Sequence, residues 1–328
     1  MSPSRLTVAA LVGLGLFWNQ AAVTAADSKV SGPGDPDFKL QGEYVGTVKT
    51  GDDGEGFKLG LQVIALGDGK FRAVAHAGGL PGEGWDGGDK HEVDGELKDG
   101  VVVFPGEQAR GEIKDGLLRV LLPNNDVIAE LKKVERKSPT LGAKSPQGAI
   151  VLFDGRSAEQ FNPGKMTDDG LLAAGAATKQ KFQSCQLHVE FLLPFMPAAR
   201  GQARGNSGCY LQGRYEVQML DSFGLKGEDN ECGGIYSIKA PDVNMCFPPL
   251  AWQTYDIDYT SARYEGDKKV KDATMTVKHN GVPVHNHVEL PHITTAAPMA
   301  EGPSPGPIYL QDHGNPVRYR NIWLVERP

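Results

Sequence analysis

From about residue 36 to 135, apolar residues come in short runs broken by turn signals. Leu61–Leu66 and Phe71–His76 flank Asp68-Gly69, which predicts a hairpin closed by a two-residue turn. The stretch Gly95-Glu96-Leu97-Lys98-Asp99-Gly100-Val101 recurs as Gly111-Glu112-Ile113-Lys114-Asp115-Gly116-Leu117. Each copy sets Asp-Gly between apolar positions, so each is expected to be a further hairpin. Two copies are too few for a solenoid. Residues 27–135 therefore read as a small, β-rich antiparallel meander or barrel.

Arg136–Gln147 (RKSPTLGAKSPQ) breaks this pattern: it is polar, holds two Ser-Pro pairs and has no period, as a linker would. Beyond it, from 148 to 328, the strands lengthen and their alternation sharpens. Leu187, Val189 and Phe191 alternate with Gln186, His188 and Glu190, and Tyr215, Val217 and Met219 with Arg214, Glu216 and Gln218. Tyr255, Ile257 and Tyr259 alternate with Thr254, Asp256 and Asp258, and Ile308 and Leu310 with Tyr309, Gln311 and His313. A period of two sends each set to opposite faces of a sheet. The apolar sets predict a sandwich core. The polar sets are expected to meet in one groove.

Composition narrows the class. Gly 42 and Pro 22 suit an all-β chain of many tight turns. A net charge of −7 without a basic stripe argues against nucleic acid. At the start, Arg5, an apolar run from Leu6 to Trp18 and the small residues Ala21–Ala26 have the form of a signal peptide over 1–26. The run is shorter than the roughly 20 residues of a membrane helix, and no later segment is long enough either. Secretion or periplasmic export is the expectation, and it makes disulfides feasible. The preferred pairs are Cys232 with Cys246 and Cys185 with Cys209, with buried free thiols as the alternative.

The polar faces carry the candidate chemistry. Gln, His, Glu, Arg and Tyr suit fixed hydrogen bonds to sugar hydroxyls better than an ordinary solvated surface does. Arg204-Gly205-Asn206-Ser207-Gly208 reads as a turn that approaches a ligand closely. Glu216 and Asp221 lie near one strand end, and Gln311-Asp312-His313 leads toward Arg318 through a loop. Because Glu216 and Asp221 are five positions apart, a regular strand would point them to opposite faces, which argues against a two-carboxylate glycosidase. In the first half, His76, His91 and Trp85 border the loop Gly78–Gly88, read mainly as a solvated loop.

Residues 148–327 resemble the 3-keto-disaccharide hydrolase domain family. The resemblance rests on an ordered series: Val151-Leu152-Phe153-Asp154-Gly155, Gln186–Phe191, Arg204–Gly208, Gly213–Gln218, Leu220-Asp221-Ser222, Cys232–Tyr236, Trp252–Tyr255, His279-Asn280-Gly281 and Gly306–Gly314, continuing to Arg318–Ile322. The Trp common after Phe-Asp-Gly in that family is absent here, with Phe161 in its place. The resemblance implies a concanavalin A-like jelly-roll sandwich and a glycoside already oxidised at C3. Such a ketone acidifies the C2 proton, so the C1 aglycone can leave by elimination, with water added afterwards. That chemistry needs a base, an enolate stabiliser and an acid. The residues offered are Glu216 or His313 as base, Arg318 as stabiliser, and Asp221 as the acid or to orient His313. Glu190, Asn206, Gln218, Gln311, Asp312 and Tyr236 would place the sugar. No cofactor is required; a divalent cation held by Glu and His is an alternative to Arg318. A partner sugar 3-dehydrogenase would supply the substrate. Two other classes stay open: a non-catalytic carbohydrate-binding module and an envelope interaction protein.

Overall fold

The computed structural model describes residues 29–49 and 56–327. The expected signal peptide lies outside the described residues. The chain divides into two compact units, one up to Arg136 together with Phe195–Arg200, the other Lys137–Pro194 with Gly201–Pro328.

In the first unit, a short helix α1 (Pro36–Leu40) precedes eight strands: β1 (Gly42–Lys49), β2 (Gly56–Gly67), β3 (Lys70–Ala77), β4 (His91–Lys98), β5 (Val101–Phe104), β6 (Arg110–Lys114), β7 (Leu117–Leu121) and β8 (Val127–Val134). They pair antiparallel in chain order and close into a barrel, β1 bonding both β2 and β8. The three expected Asp-Gly turns are present. Asp68, Asp99 and Asp115 have φ of 54°, 51° and 52°, and the glycine after each is also positive. Two successive residues in that region make the turn whose twist matches the paired strands.

The interior is apolar, with Leu59, Leu61, Ala73, Ala75, Phe104 and Leu118 among its lining. On the other face of β1–β3 runs a buried polar chain. Arg136 clasps Glu43 (2.5 and 2.7 Å), Gln62 Nε2 donates to Glu43 Oε1 (3.1 Å), and Gln62 Oε1 meets His76 Nε2 (3.1 Å). Burial pushes His76 down to about 3, and Trp85 packs edge-on to its ring. His76 and Trp85 are therefore packing partners rather than part of a solvated loop. Phe195–Arg200, late in the sequence, belongs to this unit: Ser31 N–H bonds Phe195 O (2.8 Å) and Arg200 bonds Leu66 O (2.7 Å).

The second unit is a two-sheet antiparallel sandwich. Strands β9 (Ile150–Phe153), β11 (Leu172–Ala173), β13 (Cys185–Leu192), β16 (Trp252–Thr260), β19 (Ala273–His279), β20 (Val282–Leu290) and β22 (Arg318–Glu326) form a seven-stranded sheet. Strands β10 (Phe161–Asn162), β12 (Ala176–Thr178), β14 (Ser207–Leu211), β15 (Tyr215–Met219) and β21 (Tyr309–Leu310) form a five-stranded sheet, in the order β10-β12-β21-β14-β15. A small ribbon, β17 (Arg263–Glu265) with β18 (Lys268–Lys271), stands apart. The inward phases are those that the alternation predicts. Leu187, Val189, Phe191, Tyr215, Val217, Met219, Tyr255, Ile257 and Tyr259 are all at most 1% exposed. Their rings pack together: Tyr215 meets Tyr259 across the core, and Phe191 meets Tyr255 on the neighbouring strand of its own sheet. Where phenols enter this core they are bonded, Tyr255 to Gln218 O (2.5 Å) and Tyr259 to Gln212 Oε1 (2.7 Å).

Two expectations are corrected. All four cysteines are buried free thiols, not bridges. Cys232 and Cys246 adjoin each other as thiols, with the Cys232 sulfur also meeting the Tyr255 hydroxyl and the Cys246 thiol bonding Leu220 O. The polar linker is also a strap rather than a loose spacer. Ser138 and Thr140 bond Thr254 and Asp256, Gly142 N–H donates to Glu190 Oε1 (2.5 Å), and Ala143 O accepts from Asn321 and Trp323.

Candidate active site on the five-stranded sheet

Strand β14 runs beside β15 with Gly208 opposite Gln218 and Tyr210 opposite Glu216, and β21 sets Tyr309 opposite Tyr210. The neighbours Ser207, Cys209 and Leu211 point inward, where Ser207 bonds the Tyr319 hydroxyl. Period two therefore sends Asn206, Gly208, Tyr210, Glu216, Gln218, Tyr309 and Gln311 to the outer face of this sheet.

Glu216 lies at the centre and is 2% exposed. Tyr210 Oη donates to its Oε2 (2.8 Å), and Gln311 Nε2 donates to that phenol (3.3 Å). Burial raises the Glu216 carboxyl to about 7, opposed only by the Tyr210 hydrogen bond. Tyr210 is itself pushed up by burial, with Glu216, Tyr309 and Tyr236 adding to the shift. Gln218 and Asn206 share the side chain of Gln202 (3.0 and 2.9 Å), and Asn315 accepts from the Asn206 backbone (2.7 Å). Tyr236, whose N–H bonds Glu216 O, joins the half-buried rim with Tyr309, Gln311 and Gln202.

The other candidates go elsewhere. Glu190 projects from β13 onto the outer face of the seven-stranded sheet, the far side of the sandwich from Glu216. Burial would raise its pKa, but bonds from His188, Asn321, Arg320 and the Gly142 N–H hold it at about 2. Burial likewise opposes charge on His188, yet hydrogen bonds to Asp256 and Glu190 outweigh it and raise its pKa. This cluster anchors the 138–143 strap. Glu190→Ala is expected to speed tryptic cleavage at Lys137 or Lys144 by about tenfold or more, the loss of one charged hydrogen bond, while leaving turnover unchanged. Unaltered cleavage would show that the strap is held by other contacts.

Arg318 shares a β22 face with Arg320, opposite the inward Tyr319, so it too lies across the sandwich from Glu216; it donates to Val317 O (3.1 Å). Asp221 is buried and accepts from Arg204 Nε (2.6 Å), not from His313. Asp312 caps its own turn through the Gly314 N–H (2.9 Å), and His313 is exposed beside it with no hydrogen bond to Glu216. Among the described residues no group of three or more His, Cys, Asp or Glu is assembled that could hold a metal ion. Among them, a cation held by Glu and His thus lacks its donor set.

Tyr210 escaped the sequence reading. Its signal was available: it continues the Asn206, Gly208 phase and sits between Cys209 and Leu211, both apolar.

The outer face of the five-stranded sheet thus carries one buried carboxyl of raised pKa among phenols and amides. The chain belongs to the 3-keto-alpha-glucoside-1,2-lyase-like domain family, whose model matches residues 148–325. It is similar to a solved protein of Parabacteroides distasonis described provisionally as a glycosyl hydrolase. The two share 34% identity at a TM-score of 0.52, over 56% of this chain and 85% of that one. A second structure from the same organism, described in the same terms, is 19% identical, with a TM-score of 0.42, over 56% of this chain and 95% of that one. No curated protein matches the chain.

Proposed function

We propose that this protein cleaves the glycosidic bond of 3-keto-glycosides by proton abstraction and elimination, with Glu216 as the base. The observation that carries the proposal is the Glu216 carboxyl, buried, raised to about 7 and bonded to a single phenol. Family membership supports it, since that family is named for lyase chemistry on 3-keto-glucosides. A base works best when its pKa lies near the working pH.

In this scheme Glu216 takes the proton from C2, and the C2–H electrons enter the C3 ketone as an enolate. The enolate then re-forms the ketone as the C1–O bond breaks, leaving a C1=C2 double bond. The departing oxygen takes a proton from Glu216, which returns to its starting form, and water adds across the double bond afterwards. Phenols of Tyr309 and Tyr236 and the Gln311 amide, on the rim, are the donors for the enolate oxygen. They replace Arg318 in that role. Gln218 and Asn206 place hydroxyls. The scheme requires an upstream sugar 3-dehydrogenase, and the Arg5 to Ala26 leader would put the reaction outside the cytoplasm.

The test is turnover of 3-keto-trehalose and 3-keto-glucosides beside their unoxidised parents, with and without chelator. Cleavage of only the keto forms is expected, unaffected by chelator. Cleavage of the parents would identify an ordinary glycosidase. Binding without turnover of any of them would make the domain a carbohydrate-binding module.

A further inference from the structure

We propose that Tyr210 and Gly208, on one face of β14, make Glu216 a base with a single working oxygen. The inference rests on the proposed role of Glu216 and adds two positioning residues to it. The Tyr210 phenol occupies Oε2 at 2.8 Å. The other oxygen, Oε1, lies directly over Gly208: a Cβ built there would come within 1.9 Å of it and 2.7 Å of the carboxyl carbon. Any side chain at 208 would displace the carboxylate. Gly208 is thus a strand residue whose missing side chain seats the base, not part of a ligand-approaching turn.

The phenol is held in turn. Its oxygen accepts from Gln311 Nε2 (3.3 Å), and its proton goes to Glu216 Oε2 at 2.8 Å in preference to the more distant Thr295 O at 3.5 Å. Tyr210 is 0% exposed and reaches the substrate only through the carboxylate. The groups packed around the pair are neutral: the phenols of Tyr309 and Tyr236, the Gln311 amide and, on the β15 side, Thr294, which bonds the Glu216 N–H (3.0 Å). Tyr210 is therefore the group whose removal most changes the proton affinity of the base. A hydrogen bond donated to a carboxylate favours its charged form. Removing it raises the pKa of Glu216.

The experiment is the pH dependence of kcat/KM on a 3-keto-glucoside for wild type, Tyr210→Phe, Gly208→Ala and Glu216→Gln. In Tyr210→Phe the acid limb is expected to move up by about one to two pH units, the worth of a charged hydrogen bond. Activity would fall about five- to fiftyfold at the old midpoint and recover at high pH. Gly208→Ala is expected to lose turnover at every pH, because the carboxylate is moved rather than retuned. A uniform loss in Tyr210→Phe, or an unmoved limb, overturns the inference. If Tyr210→Phe does not fold, Gln311→Met keeps the phenol and removes its donor. A smaller upward move of the limb there supports the inference, and a fixed limb overturns it. An active Glu216→Gln would sink the underlying reading instead. An inactive Glu216→Gln with a fixed limb in Tyr210→Phe sinks only the role of Tyr210.

Discussion

At pH 8, Glu216→Gln is expected to be more stable than the native protein and to have lost turnover. The carboxyl titrates from 4.5 in an unfolded chain to about 7 in the fold. A group whose folded pKa is raised contributes stability that is fully present below 4.5 and lost as pH rises through about 7. At pH 8 that contribution is gone, because the fold must then hold an ionised carboxylate with one hydrogen bond to it. The difference amounts to roughly 3 kcal/mol at 1.36 kcal/mol per pKa unit. Glutamine has nearly the same shape, still accepts from Tyr210 and never ionises. Urea unfolding at pH 8 should show the variant ahead by that order, and at pH 4 the two should nearly coincide. Equal stability at pH 8 would mean that the carboxylate is well solvated, and its claim to be a tuned base would go with it. A side chain that costs stability and supports turnover is retained for chemistry.

The contrast with Glu190 makes the same point within one fold. Both are glutamates on outward strand faces, and both are at most 2% exposed. Glu190 is met by Arg320, Asn321, the Gly142 N–H and His188, and its pKa falls to about 2. Glu216 is met by one phenol and rises to about 7. A carboxylate saturated with donors has no affinity left for a substrate proton; it is an anchor. The one starved of donors is the candidate base.

In the sequence both carried the same signal, a glutamate alternating with apolar residues, and this marks where sequence legibility ends. Period two set the phase of β13, β15, β16 and β21, and all four faces turned as expected. What it does not encode is which sheet a strand joins. That is decided by pairings such as Glu190 with Thr254 and Tyr210 with Glu216, between residues distant or separated by a turn. The single groove of the sequence reading is therefore two opposite outer faces, with Glu216, Gln218 and Gln311 on one and Glu190 and Arg318 on the other. The Asp-Gly hairpins were fully legible, because a two-residue turn is local chemistry. The Ser-Pro strap was not: its composition fits a linker, and only the distant partners Thr254, Asp256, Glu190 and Asn321 make it structure.

Asp221→Asn is expected to destabilise the protein by about 3–5 kcal/mol, the cost of breaking a buried ion pair from one side. The side chains of Arg204 and Asp221 are 6% and 1% exposed and meet at 2.6 Å. Losing the carboxylate removes the negative charge that faces a guanidinium unable to shed its proton. Arg204→Met should cost a similar amount. The double variant should cost clearly less than the sum, since both charges of the pair are then removed together. Turnover of the folded fraction should stay within a few-fold of native in all three. This separates the ion pair from the acid that the sequence suggested. A catalytic Asp221 would show the reverse: Asp221→Asn would melt normally and fail to turn over, and Arg204→Met would not rescue it. Asp221 lies two residues beyond β15 and its N–H bonds Arg204 O (3.1 Å), so the pair ties the end of that strand to the segment before β14. Its loss should therefore reach Glu216 only through unfolding, with no change in the midpoint of the acid limb.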